Sequence, residues 1–419
     1  MKNKKIPYIY IILCTFLLLN FKPKDRKEVI LKYVKNENTI KNAVFLDSSK
    51  ISDIELINKR LVDLTSNISK GITQDNKNIP YTLAHQFYIP LLYGAKTKNE
   101  TLKKSFDNLM TFENVNAIIN SNVLDDLSKK VFCFLVAEYI RSYGTSSSNN
   151  QKVFNLIKNE TLNYWNVKSG KVWAAEKNNF KGVKERISFI LTGKDNGEMS
   201  FYRAITDHEL FVLGSGVSLA LSEKKGNGKI SPELVDISNT FFTVLSKLTV
   251  FNNDGTWLMQ PDIWKDHRDY KNSNNNNNQV SWDTSHFSRF PAFLNLLDIY
   301  TGNNKTDNIF VKKLKLGLAK QFTSQVALYN KSSKKYSFTN YINGDNKNYR
   351  VGYKTNQKGF SASQNYVHIF YSWWKLLDDP SINNMYANIS INFSKYENEN
   401  IQIKKLAGFY KQLIDLDFP

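Results

Sequence analysis

From residue 53 onward, apolar residues return every three or four positions with polar ones between them, the period of helices that bury one stripe. The spacing predicts a dozen helices, over 52–69, 81–93, 102–109, 121–143, 152–165, 184–191, 200–222, 232–250, 291–300, 308–329, 361–377 and 403–416. Alternation of period two is confined to 170–175 and 336–341, too little for a major sheet. Punctuation agrees. Ser231 before Pro232 is an N-cap followed by a first-turn proline, and Gly302 after Thr301 is a stop. An all-α fold follows.

Helices of this length, joined by alternately short and long loops, suit an array of hairpins that either stack openly or close into an α/α toroid. No repeat of about 34 to 47 residues marks an open helical solenoid. Aromatic residues, 13% of the chain, gather in the long loops as if around one mouth. The expectation is an α/α toroid, an incomplete barrel of helical hairpins with long aromatic-rich loops. No composition break divides 51–419, which reads as one domain.

Ahead of that domain, Lys2, Lys4 and Lys5 precede an apolar run over 6–19, shorter than the roughly 18 residues of a membrane-spanning helix. Residues 1–21 read as a secretory signal or, because 20–23 offer no small-residue cleavage site, an uncleaved anchor; 22–50 read as an irregular linker. An exported protein is expected, in the periplasm, on the cell surface or outside the cell, touching membrane only through that segment.

Charge narrows the partners. The 419 residues carry 57 Lys and Arg against 38 Asp and Glu, a formal +19 that favours an anionic partner. The lysines are scattered, and no zinc-finger spacing, RNA-binding signature or basic heptad arm occurs, so nucleic acid is not expected. An anionic polysaccharide or oligosaccharide is, met by a monomer. Cys14 and Cys133 cannot build a disulfide framework, and Cys133, in the apolar run 131–137, reads as a core residue.

Candidate chemistry concentrates in 254–289, which holds three of the seven Trp and two of the five His, with five Asp, one Tyr, two Arg and a run of five Asn. Loops that only connect are small and polar, whereas loops that bind carry bulky aromatic and ionisable groups. Trp264-Lys265-Asp266-His267-Arg268-Asp269-Tyr270 packs an imidazole, a phenol and paired charges together. Trp282-Asp283-Thr284-Ser285-His286-Phe287-Ser288-Arg289 runs into Pro291, placing Asp283, His286 and Arg289 at the mouth of the next helix. His85, His208 and His368 read as structural histidines, with Arg203 and Asp207 as an ion pair four apart. Gly214 and Gly216 lack the third glycine of a dinucleotide fingerprint, and HExxH, CxxC, P-loop and GxSxG are absent. The spacing of His267 and His286 defines no metal site, and neither metal nor cofactor is expected.

The stretch Asp254-Gly255-Thr256-Trp257-Leu258-Met259-Gln260 resembles the Asp-Gly-Ser/Thr-aromatic-x-Gln-His segment of the α/α-toroid polysaccharide lyases of the chondroitin and hyaluronate lyase type. It has one residue more before Gln260, and Pro261 stands where that family has its catalytic His; His267 and Tyr270 supply those residue types downstream. The resemblance implies β-elimination on a uronic-acid polymer without a metal. It needs a group to neutralise the carboxylate, a base and an acid. Arg268 or Arg289, with Asn272 or Gln260, fits the first need, His267 or His286 the second and Tyr270 the third. Trp257, Trp264 and Trp282 would stack on sugar faces, and Asp283 joins them as a substrate-binding residue. The alternatives are a glycoside hydrolase on the same scaffold, using Asp254, Asp266 and Asp283, and a non-catalytic glycan-binding protein.

Overall fold

The structure, a computed structural model, describes residues 54–171, 179–192, 199–267, 281–302, 304–351 and 358–417. The expected export segment and linker lie outside these residues. All described residues belong to one compact unit.

Helices dominate. In chain order they are α1 (Glu55–Ser69), α2 (Ile79–Thr97), α3 (Glu100–Leu109), α4 (Phe112–Ile119), α5 (Asp126–Tyr143), α6 (Ser148–Asn166), α7 (Gly182–Thr192), α8 (Asp207–Asn227) and α9 (Pro232–Leu248). There follow α10 (Thr284–Phe287), α11 (Phe290–Thr301), α12 (Lys305–Gln321), α13 (Ala362–Asn365), α14 (Pro380–Ile391), α15 (Phe393–Glu399), α16 (Ile401–Lys405) and α17 (Ala407–Asp415). Strand among the described residues is limited to three antiparallel ribbons: Gly170–Lys171 with Asn179–Phe180, Thr249–Phe251 with Trp257–Met259, and Ala327–Asn330 with Lys335–Phe338. The all-α expectation stands.

The core runs through the helices whose sequences are apolar all round. Helix α5 packs between α2 and α8, and α8 packs on α11. Helix α11 meets the 3₁₀ turn Trp373–Leu377, and the turn Tyr366–Tyr371 returns to α2. The remaining helices bury one stripe against this set: α1 turns Ile57, Leu61 and Ile68 inward, with α1 against α2, α6 against α5 and α8, α9 against α8 and α12 against α11. Gly216 permits the closest of these contacts, since a Cβ there would lie 2.3 Å from Ile237 Cγ2 of α9. Among the described residues no helix is long and apolar enough to cross a membrane.

Four expected helices differ in a way that matters for function. The expected 200–222 helix is two elements, a 3₁₀ turn Ser200–Arg203 and α8, because Thr206 and Glu209 form a capping box that restarts the helix at Asp207. The 308–329 helix is α-helical to Gln321, widens into a π-helical turn over Phe322–Val326 and then becomes a strand. The 361–377 helix is a turn of α-helix followed by two 3₁₀ turns, with Ser372 at φ 64. Residues 403–416 split into α16 and α17. Helices α4, α14 and α15 were not expected, although Asp379-Pro380 is a start signal: its carboxylate accepts from Ser381 and Ile382 N–H.

Candidate active site

The site is assembled where α10 meets the irregular segment 339–350. Asp283 caps α10, its carboxylate accepting the His286 backbone N–H at 3.0 Å. Thr284 N–H donates to Asn340 O at 2.7 Å, Ile342 N–H donates to Trp282 O, and Asp283 bridges Tyr341. These bonds lay 339–350 along 281–284. Tyr349 then exchanges both backbone hydrogen bonds with Phe360, which fixes it and Arg350 facing α10.

At the centre is an Asp–His pair. Asp283 Oδ2 lies 2.7 Å and Oδ1 2.9 Å from His286 Nδ1. Burial alone would raise the Asp283 pKa, but the charge and hydrogen bonds of His286, with the Arg350 charge, pull it down to about 2. A carboxylate so held only accepts, so we assign the imidazole proton to Nδ1 and the lone pair to Nε2. Nε2 sits 3.9 Å from Asp207 Oδ2, and the His286 side chain keeps 26% exposure. The Tyr349 hydroxyl is 3.4 Å from His286 Nδ1 and accepts from Arg350 Nε at 2.9 Å. Arg350 holds φ 57, a left-handed conformation that costs a residue with a Cβ about 1 kcal/mol or more.

These groups line a pocket of about 110 Å³. Trp264 and Trp282 wall it, meeting edge to face at 5.9 Å. The start of α8, Thr206-Asp207-His208, closes it opposite His286. Among the described residues no three His, Cys, Asp or Glu side chains converge as a metal site requires.

The residues singled out from sequence separate into three places. His286, Asp283, Trp264 and Trp282 share the pocket. Arg289 is close by but buried behind it, with Nη1 donating to Asp207 Oδ2 at 2.7 Å, Nε to His85 Nε2 at 3.0 Å and Nη2 to Tyr81 Oη at 2.5 Å. It therefore braces the pocket instead of lining it, and Asp207 pairs with Arg289 where Arg203 was expected. The others point elsewhere. Trp257 is 0% exposed, its indole N–H donating to Leu314 O, so it presents no face to a sugar. Gln260 clamps the break before α8, its amide accepting from Ile205 N–H and donating to Arg203 O. His267 is 1% exposed, edge-on to Phe201 and Trp264. Arg268, Tyr270 and Asn272 lie outside the described residues.

Tyr349, Arg350 and Asp207 complete the pocket without having been singled out for it. A signal existed for the first two: Tyr349-Arg350 is an aromatic–cation pair in a long irregular stretch, the criterion that marked 254–289. Asp207 carried none, since only the folded chain brings it to Arg289. No family model, curated protein or solved structure matches this chain.

Proposed function

We propose that this chain is an exported carbohydrate-active enzyme, a polysaccharide lyase that cleaves a uronic-acid-containing anionic glycan by β-elimination. One observation carries the reading: an imidazole oriented by a buried carboxylate shares a pocket with a tyrosine hydroxyl and a guanidinium between two indoles. Arg350 faces the substrate carboxylate and offsets the charge that builds there, acidifying the adjacent C–H. His286 Nε2 takes that proton. Tyr349 passes its proton to the glycosidic oxygen as the carbon–oxygen bond breaks, and the electron pair left by the first proton forms the carbon–carbon double bond. Tyr349 takes the acid's role first expected of Tyr270. The α/α toroid belongs to the same proposal, supported by the succession α2, α5, α8, α11 and 373–377, which comes back to α2 through 366–371. Export rests on Lys2, Lys4, Lys5 and the apolar run after them.

The hydrolase reading needs two available carboxylates. Asp207 and Asp283 both line the pocket, but Asp207 is tied to Arg289 and Asp283 to His286. Asp254 lies in the exposed ribbon turn and Asp266 accepts from Ser200 N–H. The test is digestion of alginate, pectate, hyaluronate and chondroitin sulfate, following new reducing ends together with the ultraviolet-edge absorbance of an unsaturated product. Both rise for a lyase, and His286→Ala and Tyr349→Phe abolish both. Reducing ends without absorbance mean hydrolysis. Saturable binding without either product, unchanged in both variants, means a non-catalytic glycan-binding protein.

A further inference from the structure

Arg289, buried behind the pocket of His286, does line another space, a second cavity of about 160 Å³. Its rim is half-buried Tyr81, Ser285, Val367 and Tyr371, and His368 and Arg289 are buried within it.

The polar atoms of this cavity can be assigned one by one. His85 is used up, its Nδ1–H donating to Tyr81 O and its Nε2 accepting from Arg289. Arg289 commits one N–H from each of its three nitrogens to Asp207, His85 and Tyr81, and the Asp207 carboxylate at 2.7 Å balances its charge. His368 donates Nδ1–H to Asn365 O at 2.7 Å, which leaves a lone pair on Nε2. That nitrogen is buried without a partner, an arrangement that folded proteins seldom keep unless something else completes it. The Tyr81 oxygen accepts from Arg289, so its own proton is left to donate. Ser285 adds a second hydroxyl on the rim.

The cavity therefore offers an acceptor, donors and no net charge. A carboxylate or phosphate would meet the His368 lone pair and a guanidinium already neutralised. An ammonium would meet the cation. A hydroxyl suits both walls, donating to His368 Nε2 while its neighbour accepts from Tyr81, and Val367 with the Tyr371 and Trp373 rings receives C–H surface. We propose that this cavity is a second binding site, taking an uncharged polyhydroxyl ligand, a neutral sugar ring or polyol. It needs no turnover and stands apart from the elimination reading.

The full chain is titrated with D-glucose, D-galactose, D-mannose and glycerol, with sodium glucuronate as the charged control, by calorimetry and saturation-transfer NMR. At least one neutral probe should bind saturably in the millimolar range and more tightly than glucuronate. His368→Leu should weaken it by about tenfold, the scale of one lost buried hydrogen bond. Val367→Trp, which fills the rim and leaves the buried network intact, should block it and decides the matter if His368→Leu does not fold. His286→Ala should leave binding unchanged. The proposal fails if no neutral probe saturates, if glucuronate binds as tightly, or if His286→Ala removes binding that His368→Leu and Val367→Trp retain.

Discussion

At the scale of single residues, the pocket depends on which nitrogen of His286 carries the proton. Asp283 sets that tautomer and also caps α10, two roles that asparagine separates. Asn still caps a helix well, but its neutral amide no longer demands Nδ1–H or balances an imidazolium. Asp283→Asn should therefore melt near the wild-type temperature while the proposed elimination falls by about 10² to 10⁴-fold, the usual scale of general acid–base catalysis. Equal losses of rate and folding would show the carboxylate to be merely structural. Buried imidazoles make a second prediction, about acid. Burial pushes the His368 pKa down to about 3 and, together with Arg289, that of His85 well below its ordinary value. In the unfolded chain both take protons as the pH falls through about 6.5, while the folded chain refuses them, so stability must fall as the pH drops below that point. Asp283 adds to the loss lower down: its depressed pKa stabilises the fold above about 3.9, and that share disappears as the pH falls through about 2. Urea midpoints from pH 8 to pH 4 should decline from about 6.5, and His368→Leu should flatten the slope.

At the scale of elements, the same residues show what spacing conveys and what it omits. Helix α9 is legible from a local start signal, Ser231 before Pro232, whereas α1, α5 and α6 are legible from apolar spacing alone, which does not give the starts that Asp125 and Ser147 set for α5 and α6. The break before α8 is not legible from apolar spacing, which continues through Ile205; Gln260, far along the chain, holds it open. Without that break Asp207 and His208 would lie inside a helix and not at its start, beside the pocket. Similarly, Gly214 and Gly216 serve helix packing: Gly214 lies against Phe134 and Phe293, and Gly216 against Ile237. Gly216→Ala should push α9 off α8 and destabilise the protein by about 1–3 kcal/mol, as overpacking does. The gain in helix propensity from Gly to Ala offsets about 1 kcal/mol of this at most. A denaturation midpoint at or above wild type would show that α9 shifts without strain.

At the scale of the whole molecule, charge acts at a distance. A formal +19 draws a polyanion toward the protein whatever the detail of its site, and salt screens that attraction over about 8 Å at physiological ionic strength. If the proposed lyase reading holds, the KM for a charged polysaccharide should rise with added sodium chloride while kcat holds nearly steady; a flat KM would confine recognition to short-range contacts. Local period and composition settle what is decided within a few residues of chain: helices over strands, the start of α9 at Ser231-Pro232, the basic charge, and one loop rich in aromatic and ionisable groups. The tertiary structure alone decided which of those groups meet. It placed His286 with Tyr349 and Arg350, set Arg289 against Asp207, and buried Trp257 and His267, because those contacts join segments many tens of residues apart. No pattern of neighbours along the chain encodes a distance between its remote parts.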